Sequence, residues 1–600
     1  MFGLRQKINL FIFENKYLIQ RLMGWVVAIS SIVTIASLIY YHGYPHTPEE
    51  QKVLLDINRA FFAVFILNYL VRLFFTLERI AYIRSTWVEL SMLVLVILNF
   101  ISYQVFKFPA IARLFEAMGW EGFEPYYVFF IQLYLLLLIV MEVVKSVQLL
   151  GKLKLRPTTI FLMSFLLLIG GGTFLLQLPA LSDGSQQLRW IDALFTATSA
   201  SCVTGLIVVD TATFFNTKGQ LIILLLFQIG GLGIISFATF FATFMKKGMG
   251  LKQQSMLKEL FDNESLLGTV SLLRKVVFYT VTIEVISTLL IYSFWGDYPF
   301  RSEGQKVFYS VFHAISAFCN AGFSLFTNGL AEIGIANNYV LHVFIAVTIF
   351  FGGLGFPALR DIFEVNNVRE RLSKPWKKWK LSTQIAFYGS LILIAFGTLT
   401  FYLLEKDGVL EGNSPMPAFV TSLFQSVTTR TAGFNTVDFS LLSAPTLIIF
   451  IFLMFIGASS GSTGGGIKTS TFVVIFSAIL ATVTGKKDVT LGRRTISQEL
   501  IYKAFSVFIF SATFIFIAVV LLAIAEPGIE ITRLVFEEVS AFATVGLSTG
   551  ITAGLSDFSK GILIVSMFVG RIGILSLAFS LSVPTRTTAY HYPKSHIMIG

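Results

Sequence analysis

The chain has 600 residues, of which 55% are hydrophobic and only 13% are charged, and its mean hydropathy is +0.77. Soluble domains carry roughly 25% charged residues, so this composition excludes a soluble protein and predicts an all-α protein that crosses a membrane many times. The net charge of +11 does not indicate a nucleic-acid partner, because the cations concentrate in alternate loops between apolar stretches. The two cysteines, Cys202 and Cys319, fit neither a disulfide framework nor a metal-binding pattern.

Residues 1–150 contain four predicted spans, each close to the ~20 residues that cross a hydrocarbon core. They cover about 24–41, 59–78, 87–105 and 126–148. Met1–Arg21 has no small-residue cleavage site, so we interpret it as a retained cytoplasmic segment. The second span faintly resembles a voltage-sensor helix, but Asn68 stands where an acid is expected, and the fourth span lacks the arginine ladder that voltage sensing requires. We therefore predict a structural or docking bundle.

From residue 151 the chain repeats the order span, re-entrant loop, span four times. The predicted pore units are 151–245, 246–365, 366–485 and 486–600. The stretch before each loop's glycine is too short to cross a membrane. It predicts a half-helix that ends at mid-depth, with its C-terminal partial negative charge pointing toward a shared axis. The predicted spans are about 158–180, 219–244, 272–295, 338–363, 383–404, 445–482, 500–525 and 560–581.

Each loop contains a variation on one glycine-bearing segment, and the aligned glycines are 117, 111 and 113 residues apart. Non-helical backbone at membrane depth is tolerated only where it is buried or lines a water-filled path. Four such segments around one axis can offer backbone carbonyls to a dehydrated cation. We therefore predict a selectivity filter made of Cys202, Val203, Thr204, Gly205, Cys319, Asn320, Ala321, Gly322, Arg430, Thr431, Ala432, Gly433, Ala543, Thr544, Val545 and Gly546.

Side chains near the filter glycines carry two further expectations. Arg430 is expected to turn away from the axis and brace the loop, because a guanidinium on the axis would exclude cations. Hydroxyl and amide groups are expected to line the path beside the carbonyls, from Thr204, Asn320, Thr431 and Thr544.

The second span of unit three is interrupted by a run of small residues at 456–468. So many glycines cannot hold a stable helix against lipid, so we predict an unwound loop that plugs the path, with a simple helix kink as the alternative. The predicted gate residues are Gly457, Ser459, Ser460, Gly461, Ser462, Thr463, Gly464, Gly465, Gly466, Lys468 and Arg571.

Two ionisable residues lie inside predicted spans, where charge is costly. Arg571 falls at the depth of the small-residue run, and its expected partners are the carbonyls and hydroxyls of that run. It either contributes to the barrier for cations or serves as a structural clamp. Glu284 is predicted to form a structural pair rather than to carry protons.

The second spans also share glycines, which permit either close helix approach or a hinge. The matching segments are 228–234, 351–356 and 569–574.

Four loops concentrate lysine and arginine, which is typical of short cytoplasmic loops. They place both termini in the cytoplasm of a multi-pass plasma (inner) membrane protein. The same cations suit an anionic lipid surface or an acidic cytosolic partner, or act only as retention signals. They are Lys152, Lys154 and Arg156; Lys246, Lys247, Lys252 and Lys258; Arg369, Arg371, Lys374, Lys377, Lys378 and Lys380; and Lys486, Lys487, Arg493 and Arg494.

Taken together, several of these segments resemble the Trk/Ktr/HKT superfamily of potassium- and sodium-translocating subunits, over about residues 157–600. The resemblance rests on 202–206, 429–434, 461–468, Arg571 and the terminal 597–600, and the first filter is most similar to the Ktr branch. It implies a fourfold pseudosymmetric pore, a homodimer in the lipid bilayer and a cytosolic ring of nucleotide-binding, RCK-type subunits. It also implies that the unit-three loop and Arg571 form the gate, and that K⁺ is the transported ion, with no cofactor bound by this chain.

All four loops of this chain keep glycine at the aligned position. The resemblance implies that family members which prefer Na⁺ carry serine at this position of the first loop, so K⁺ is favoured over Na⁺ here. One alternative is a transporter of the same family for Na⁺, or a symporter that couples K⁺ to Na⁺ or H⁺, although such coupling predicts more ionisable pairs at mid-membrane. A remote alternative is an intramembrane serine hydrolase, because 457–461 formally matches Gly-x-Ser-x-Gly.

Overall fold

The protein is described by a computed structural model covering residues 2–76, 79–87, 90–91, 94, 157–183, 187–244, 269–574 and 577. Its contacts divide it into two compact units, Met1–Lys154 with Leu178–Ala180, and Leu155–Gln177 with Leu181–Gly600. The described parts of both units are predominantly helical, and five of their helices are long and apolar enough to cross a membrane.

The N-terminal unit contains α1 (Phe2–Gly43), α2 (Pro48–Phe74) and α3 (Arg79–Ser85). A reciprocal capping box between Thr47 and Glu50 starts α2, because each side chain bonds an otherwise unsatisfied backbone amide of the first turn. The first predicted span lies in α1, and the second, 59–78, begins in α2 and extends past its end at Phe74. The predicted span 126–148 and nearly all of 87–105 lie outside the described residues.

The large unit contains the four predicted pore units in chain order. Unit one has α4 (Pro157–Leu176), α5 (Trp190–Ser201) and α6 (Thr217–Phe244). Unit two has α7 (Thr269–Ser293), α8 (Glu303–Cys319), α9 (Tyr339–Leu354) and α10 (Phe356–Phe363), followed by α11 (Val365–Ser373).

Unit three has α12 (Leu381–Leu404), α13 (Pro415–Thr428), α14 (Ala444–Phe455) and α15 (Thr469–Val483). A small antiparallel hairpin follows, with β1 (Thr490–Leu491) paired to β2 (Arg494–Thr495). Unit four has α16 (Gln498–Ala525), α17 (Ile531–Phe542) and α18 (Asp557–Ile572).

The short helices α5, α8, α13 and α17 are the predicted half-helices, and their C-terminal turns are buried. These turns are rich in Ala, Ser and Thr, whose small side chains let the neighbouring helices approach. The four filter segments begin at their C-terminal ends, and each half-helix packs beside the first helix of its own unit.

The second helix of a unit closes on its half-helix through a shared glycine. A Cβ atom built on Gly230, Gly352 or Gly570 would lie 2.0, 2.0 or 1.6 Å from a carbonyl oxygen at the end of the half-helix. Real Cβ atoms do not approach so closely, so these positions need glycine for packing. These carbonyl oxygens belong to Ser201, Phe318 and Phe542, each four residues before the filter glycine of its unit.

Within the described residues, the second spans of units two and three are broken rather than continuous. In unit two the axis turns by 103° between α9 and α10, at Gly355, whose φ is +86°. In unit three residues 456–468 are non-helical between α14 and α15, and an isolated parallel bridge pairs Ile456 with Ile467. The unwound segment is the one that the small-residue run predicts; the sequence analysis did not predict the bend at Gly355.

Candidate functional site

The four filter glycines meet in one closed ring. A Cβ atom built on each glycine would strike the carbonyl oxygen of the residue before the glycine of the next unit, and the fourth unit returns to the first. All four glycines have φ between +71° and +94°, the left-handed region in which other residues are strained. The contacts are Gly205 to Ala321 (2.4 Å), Gly322 to Ala432 (2.8 Å), Gly433 to Val545 (2.3 Å) and Gly546 to Thr204 (2.1 Å).

A second backbone feature repeats two residues before each glycine. Val203, Asn320, Thr431 and Thr544 are the non-glycine residues with positive φ in the described parts of the chain, at +59°, +57°, +73° and +51°. A non-glycine residue in this region costs ~1–3 kcal/mol and persists only where its surroundings hold it. All four are completely buried, which supplies that restraint.

This repeat agrees with the alignment that the four glycines give. Thr204 corresponds to Ala321, the residue before the glycine, whereas Val203 corresponds to Asn320. The side chains of Thr204, Asn320, Thr431 and Thr544, predicted to line the path, do not all hold one backbone position: Thr204 is the residue before its glycine, and the other three are two residues before theirs. Of the predicted filter residues, all but Gly322 and Gly546 are buried.

Hydroxyl groups in the last turn of each half-helix fix the filter backbone. Ser199 and Ser540 accept hydrogen bonds from the amides of Gly205 and Gly546, both at 3.1 Å. In the other two units the hydroxyl donates to the carbonyl that follows the glycine. Those bonds are Ser316 to Phe323 at 2.8 Å and Thr428 to Phe434 at 2.7 Å.

A further set of braces joins each of three half-helices to the chain that leaves the filter. The bonds are His313 to Ser324 (3.1 Å), Gln425 to Thr436 (2.7 Å) and Glu537 to Ser548 (2.6 Å). None of these six residues was among the predicted site residues. The available signal was a polar residue eight or nine positions before the glycine with a hydroxyl residue two or three positions after it.

Arg430 braces the foot of the small-residue loop at 456–468, whereas the prediction was that it braces the filter loop. Its guanidinium donates to the carbonyl of Gly457 at 3.2 Å and to the hydroxyl of Thr469 at 2.8 Å. Thr469 also donates to Gly457 at 3.2 Å. The two ends of the loop are thereby tied to each other and to the filter segment of unit three.

The loop, residues 456–468, lies against the filter segments. A Cβ atom built on Gly464 would lie 2.0 Å from Thr431 Oγ1, and one built on Gly465 would lie 2.4 Å from Thr544 Oγ1. Only glycine fits between the loop backbone and these two side chains.

The loop is also bonded to unit two and to itself. Thr463 Oγ1 donates to the carbonyl of Phe318 at 3.2 Å, and Ser459 donates its amide to Gly353 at 3.0 Å. Lys468 Nζ donates to the carbonyl of Gly464 at 2.6 Å, which folds the loop back on itself. Within the predicted gate set only Ser460 is exposed, and its hydroxyl lies 2.7 Å from that of Ser470.

Arg571 joins three units at one point. It belongs to α18 of unit four and is 2% exposed. Its guanidinium donates to the carbonyl of Thr463 in the unit-three loop and to that of Gly230 in unit one, the latter at 2.5 Å. A loop carbonyl was the expected partner; Gly230 was not. A buried cation at membrane depth is expensive unless it is paired. Here backbone carbonyls accept from both terminal nitrogens of the guanidinium, while its Nε has no hydrogen-bond partner among the described residues.

Glu284 has the structural partner that was predicted for it. Gln228 of α6 donates to its carboxylate at 2.9 Å, and the same amide accepts from Cys319 Sγ at 3.1 Å. This chain of bonds links α7 to the filter segment of unit two.

The serine-hydrolase geometry is not present in the described residues. Ser459 lies in a loop between two helices instead of a strand-to-helix turn, and its Oγ makes no hydrogen bond.

A family model described as TrkH, cation transport protein, matches residues 130–588. The chain belongs to the TrkH cation transport family. Its members are transporters, so the hydrolase alternative is excluded.

Two similar relatives of the TrkH family are each named Ktr system potassium uptake protein B. The one from Bacillus subtilis is 38% identical, over 74% of this chain and 97% of its own. The one from Vibrio alginolyticus is 36% identical, over 74% and 94%. The potassium/sodium uptake protein NtpJ of Enterococcus hirae is 34% identical, over 74% and 98%.

A solved TrkH-family structure has the same fold. The crystal structure of the potassium transporter TrkH from Vibrio parahaemolyticus matches with a TM-score of 0.56 at 18% identity, covering 82% of this chain and 97% of that one. The fold is thus that of an all-α polytopic membrane transporter.

Proposed function

We propose that this protein takes up K⁺ through a pore whose selectivity filter is the ring of four glycine-bearing segments. The closed cycle of glycine-to-carbonyl contacts carries the proposal, because it brings backbone oxygens of all four units around one axis. Carbonyl oxygens replace the hydration shell of a dehydrated cation. Potassium uptake is also the activity in the names of two similar relatives.

Glycine at all four aligned positions favours K⁺ over Na⁺. A side chain at any of them would meet a neighbouring carbonyl at 2.8 Å or less and disturb the ring. The second candidate is transport of Na⁺ as well as K⁺, because one relative is named a potassium/sodium uptake protein. A symporter that couples K⁺ to Na⁺ or H⁺ is the third.

The gate in this proposal is the unit-three loop together with Arg571. The loop fills the space against Thr431 and Thr544, and Arg571 fastens it through Thr463. Two cations, Lys468 and Arg571, then stand at the loop, where they raise the barrier for a third.

Regulation and assembly follow the Ktr pattern. The word "system" in the relatives' names indicates further components, and we propose an RCK-type cytosolic ring and a homodimer in the bilayer. The basic loops, including 369–380 and 486–494, favour a cytoplasmic location for both termini and for the loop surface that faces the proposed ring.

The test is ion flux through the purified full-length protein in liposomes. We expect uptake driven by the K⁺ gradient alone, smaller uptake of Na⁺ under the same gradient, and a change when a nucleotide-binding regulatory subunit is added. Equal K⁺ and Na⁺ uptake would contradict the selectivity, and a fixed stoichiometry with a second ion would establish the symporter instead.

A further inference from the structure

An apolar groove with a basic rim lies on the segment that follows the second span of unit two. The groove has a volume of about 330 Å³ and is lined by Phe363, Val365, Val368, Arg369 and Leu372. Val365, Val368 and Leu372 are spaced three and four residues apart on α11, so they share one face. No residue of α11 is buried within the described parts of the chain.

The groove is held rigidly in place. Arg371 donates to Asp361 at 3.3 Å and to the carbonyl of Ile362 at 3.1 Å, which fastens α11 to α10. Glu364, between the two helices, pairs with Lys275 of α7. An apolar face displayed on a fixed scaffold indicates an occupant, because large exposed apolar patches on proteins mark contact sites.

The rim of the groove carries surplus positive charge. Residues 360–380 contain seven lysines and arginines but three acids. Each acid already faces a cation: Asp361 faces Arg371, Glu364 faces Arg360 and Lys275, and Glu370 faces Lys377. The Lys377 ammonium holds the pKa of Glu370 below its usual range, so this acid stays charged at neutral pH.

Three further cations therefore supply net charge to the rim. Arg369, Lys374 and Lys378 are all exposed, and Arg369 itself lines the groove. Beside them, Leu372 is 79% exposed and Trp376 is 77% exposed. Basic residues next to exposed Trp and Leu are typical of segments that lie in a membrane interface.

The groove also continues the surface of a spanning helix. The ring of Phe363 packs against that of Phe351 in α9, with centroids 6.0 Å apart. The chain then turns by 103° from α9 into α10. Nearby, Trp379 packs on Phe387 and Tyr388 at the start of α12, and such aromatic groups concentrate where a span meets the headgroups.

We propose that this groove binds an anionic phospholipid. The acyl chain lies along Val365, Val368 and Leu372, and the headgroup phosphate is met by Arg369, Lys374 and Lys378. Lipid is favoured over a protein partner because the groove is continuous with the surface of a span and carries the basic charge that attracts an anionic leaflet. The site lies outside the proposed filter and gate, so it does not depend on which ion the pore selects.

The test uses Trp376 as the reporter in full-length protein. The Trp376 signal is obtained by subtracting the fluorescence of the Trp376→Phe variant from that of the wild type. The subtraction removes the contribution of the other six tryptophans. Phosphatidylglycerol with brominated acyl chains is titrated into protein in a non-ionic detergent, and bromine quenches tryptophan on contact. We expect saturable quenching by phosphatidylglycerol, and weak quenching by brominated phosphatidylcholine, which shares the chains but lacks net charge.

Charge and groove are then separated by variants. The triple variant Arg369→Gln, Lys374→Gln, Lys378→Gln should weaken the binding of phosphatidylglycerol by about a hundredfold, since each basic residue at an anionic surface contributes about fivefold. Leu372→Gln should weaken it with every charge in place. The matched control, Lys486→Gln, Lys487→Gln, Arg493→Gln, removes three exposed cations from another basic loop and should leave the Trp376 signal unchanged.

Several results would overturn the proposal. Equal loss in both triple variants would mean general surface charge rather than a built site. Displacement by inorganic phosphate or glycerol phosphate at constant ionic strength, with no contribution from the chains, would mean a phosphate site. Absence of quenching by every lipid would mean that the groove is covered by protein, from this chain or a partner. Native mass spectrometry gives an independent check, because the wild type should retain more phosphatidylglycerol than the Arg369, Lys374, Lys378 variant.

Discussion

Two properties coincide at each filter glycine. The backbone is left-handed, which favours glycine, and the place of a side chain is occupied by the carbonyl oxygen of the next unit. Some other glycines among the described residues have only the first property. Gly550, for example, has φ +87° but nothing within 4 Å of a built Cβ. Comparing a filter glycine with Gly550 therefore separates the effect of backbone strain from the effect of steric contact with the ring.

Gly205→Ser should lower the preference for K⁺ over Na⁺. The new Cβ would lie 2.4 Å from the carbonyl oxygen of Ala321, so the unit-two carbonyl must move. A distortion of ~1–3 kcal/mol corresponds to roughly a tenfold change in relative permeation. Rubidium and sodium uptake into liposomes measures it.

Gly550→Ser is the control for that substitution. It carries the same backbone strain without the carbonyl contact, so it should change the stability of the protein but not its ion preference. Unchanged preference in Gly205→Ser, in protein that is folded and inserted, would contradict the assignment of the filter.

Single-residue predictions from the sequence succeeded where spacing decides and failed where backbone conformation decides. The recurring steps of 117, 111 and 113 residues identified the four glycines. They could not reveal that the residue two positions before each glycine, Val203 or Asn320 for example, has positive φ, because no residue type common to those four positions marks it. Gln228, the partner of Glu284, is 56 residues away in the chain. No local sequence pattern predicts that these two residues pair.

At the scale of elements, the loop at 456–468 is a segment whose backbone bonds are made with other elements. Backbone amides of the loop donate hydrogen bonds to the carbonyls of Gly352 and Gly353 in α9. In return, the carbonyl of Gly461 accepts a hydrogen bond from the amide of Phe356. Because helix bonding is absent there, its position depends on the side chains of Arg430, Lys468 and Arg571. Removing a fastening should therefore free the loop without unfolding its neighbours.

Deleting 459–465 should raise basal K⁺ flux, because the glycines that fill the space against Thr431 and Thr544 are removed. The measurement is flux in liposomes without any regulatory subunit. Flux equal to or lower than that of the wild type, in correctly folded protein, would show that the segment is not a plug.

Arg571→Ala should raise basal flux in the same assay, since the loop loses its bond through Thr463 and the path loses a cation. Arg571→Lys serves as the comparison. It keeps the charge but cannot span Thr463 and Gly230 together, so flux between that of the wild type and that of Arg571→Ala is expected. A lysine variant as leaky as the alanine variant would assign the effect to geometry, and wild-type flux in both would leave Arg571 as a clamp only.

The broken span of unit two shows what a hydropathy pattern misses. Residues 338–363 are apolar enough for one helix, yet the axis turns by 103° at Gly355. The signal was local: a glycine that adopts positive φ ends α9, and Pro357 opens α10, as proline does in a first helical turn. The interruption in unit three was predictable because its many glycines exceed what a kink needs.

At the scale of the molecule, the first and last units are joined directly. Lys560 of α18 and Asp192 of α5 form a buried ion pair at 2.8 Å across 368 residues of chain. Arg189 supports it, contacting Asp192 at 2.7 Å and Asp557 at 3.2 Å. The pair ties unit four back to unit one, as Gly546 and Thr204 do in the ring.

Lys560→Met should therefore destabilise the protein by ~3 kcal/mol, because removing one partner leaves a buried charge that only Arg189 compensates. Thermal unfolding in detergent measures the loss. The double variant with Asp192→Asn should recover part of it. Lys503→Met is the control: its partner Glu499 is 77% exposed, and such a surface pair is worth ~1 kcal/mol or less. Equal losses in both single variants would contradict a closing role for the buried pair.

The number of units, their order and their half-helices could be predicted, because the apolar stretches and the glycines recur at regular spacing along the sequence. The contacts that close the ring were not. Lys560 and Asp192 each resemble an ordinary residue at the end of a helix, and only the folded chain brings them together. The structural boundaries of the N-terminal bundle stay a prediction.

The cycle of glycines belongs to a single polypeptide, and this has a genetic consequence. In a pore assembled from four identical subunits, one codon change alters every quadrant at once. Here a mutation touches one quadrant and leaves three intact, so ion preference can drift in small steps during evolution instead of collapsing. The four segments already differ in sequence around the shared glycine, as expected of quadrants under separate selection.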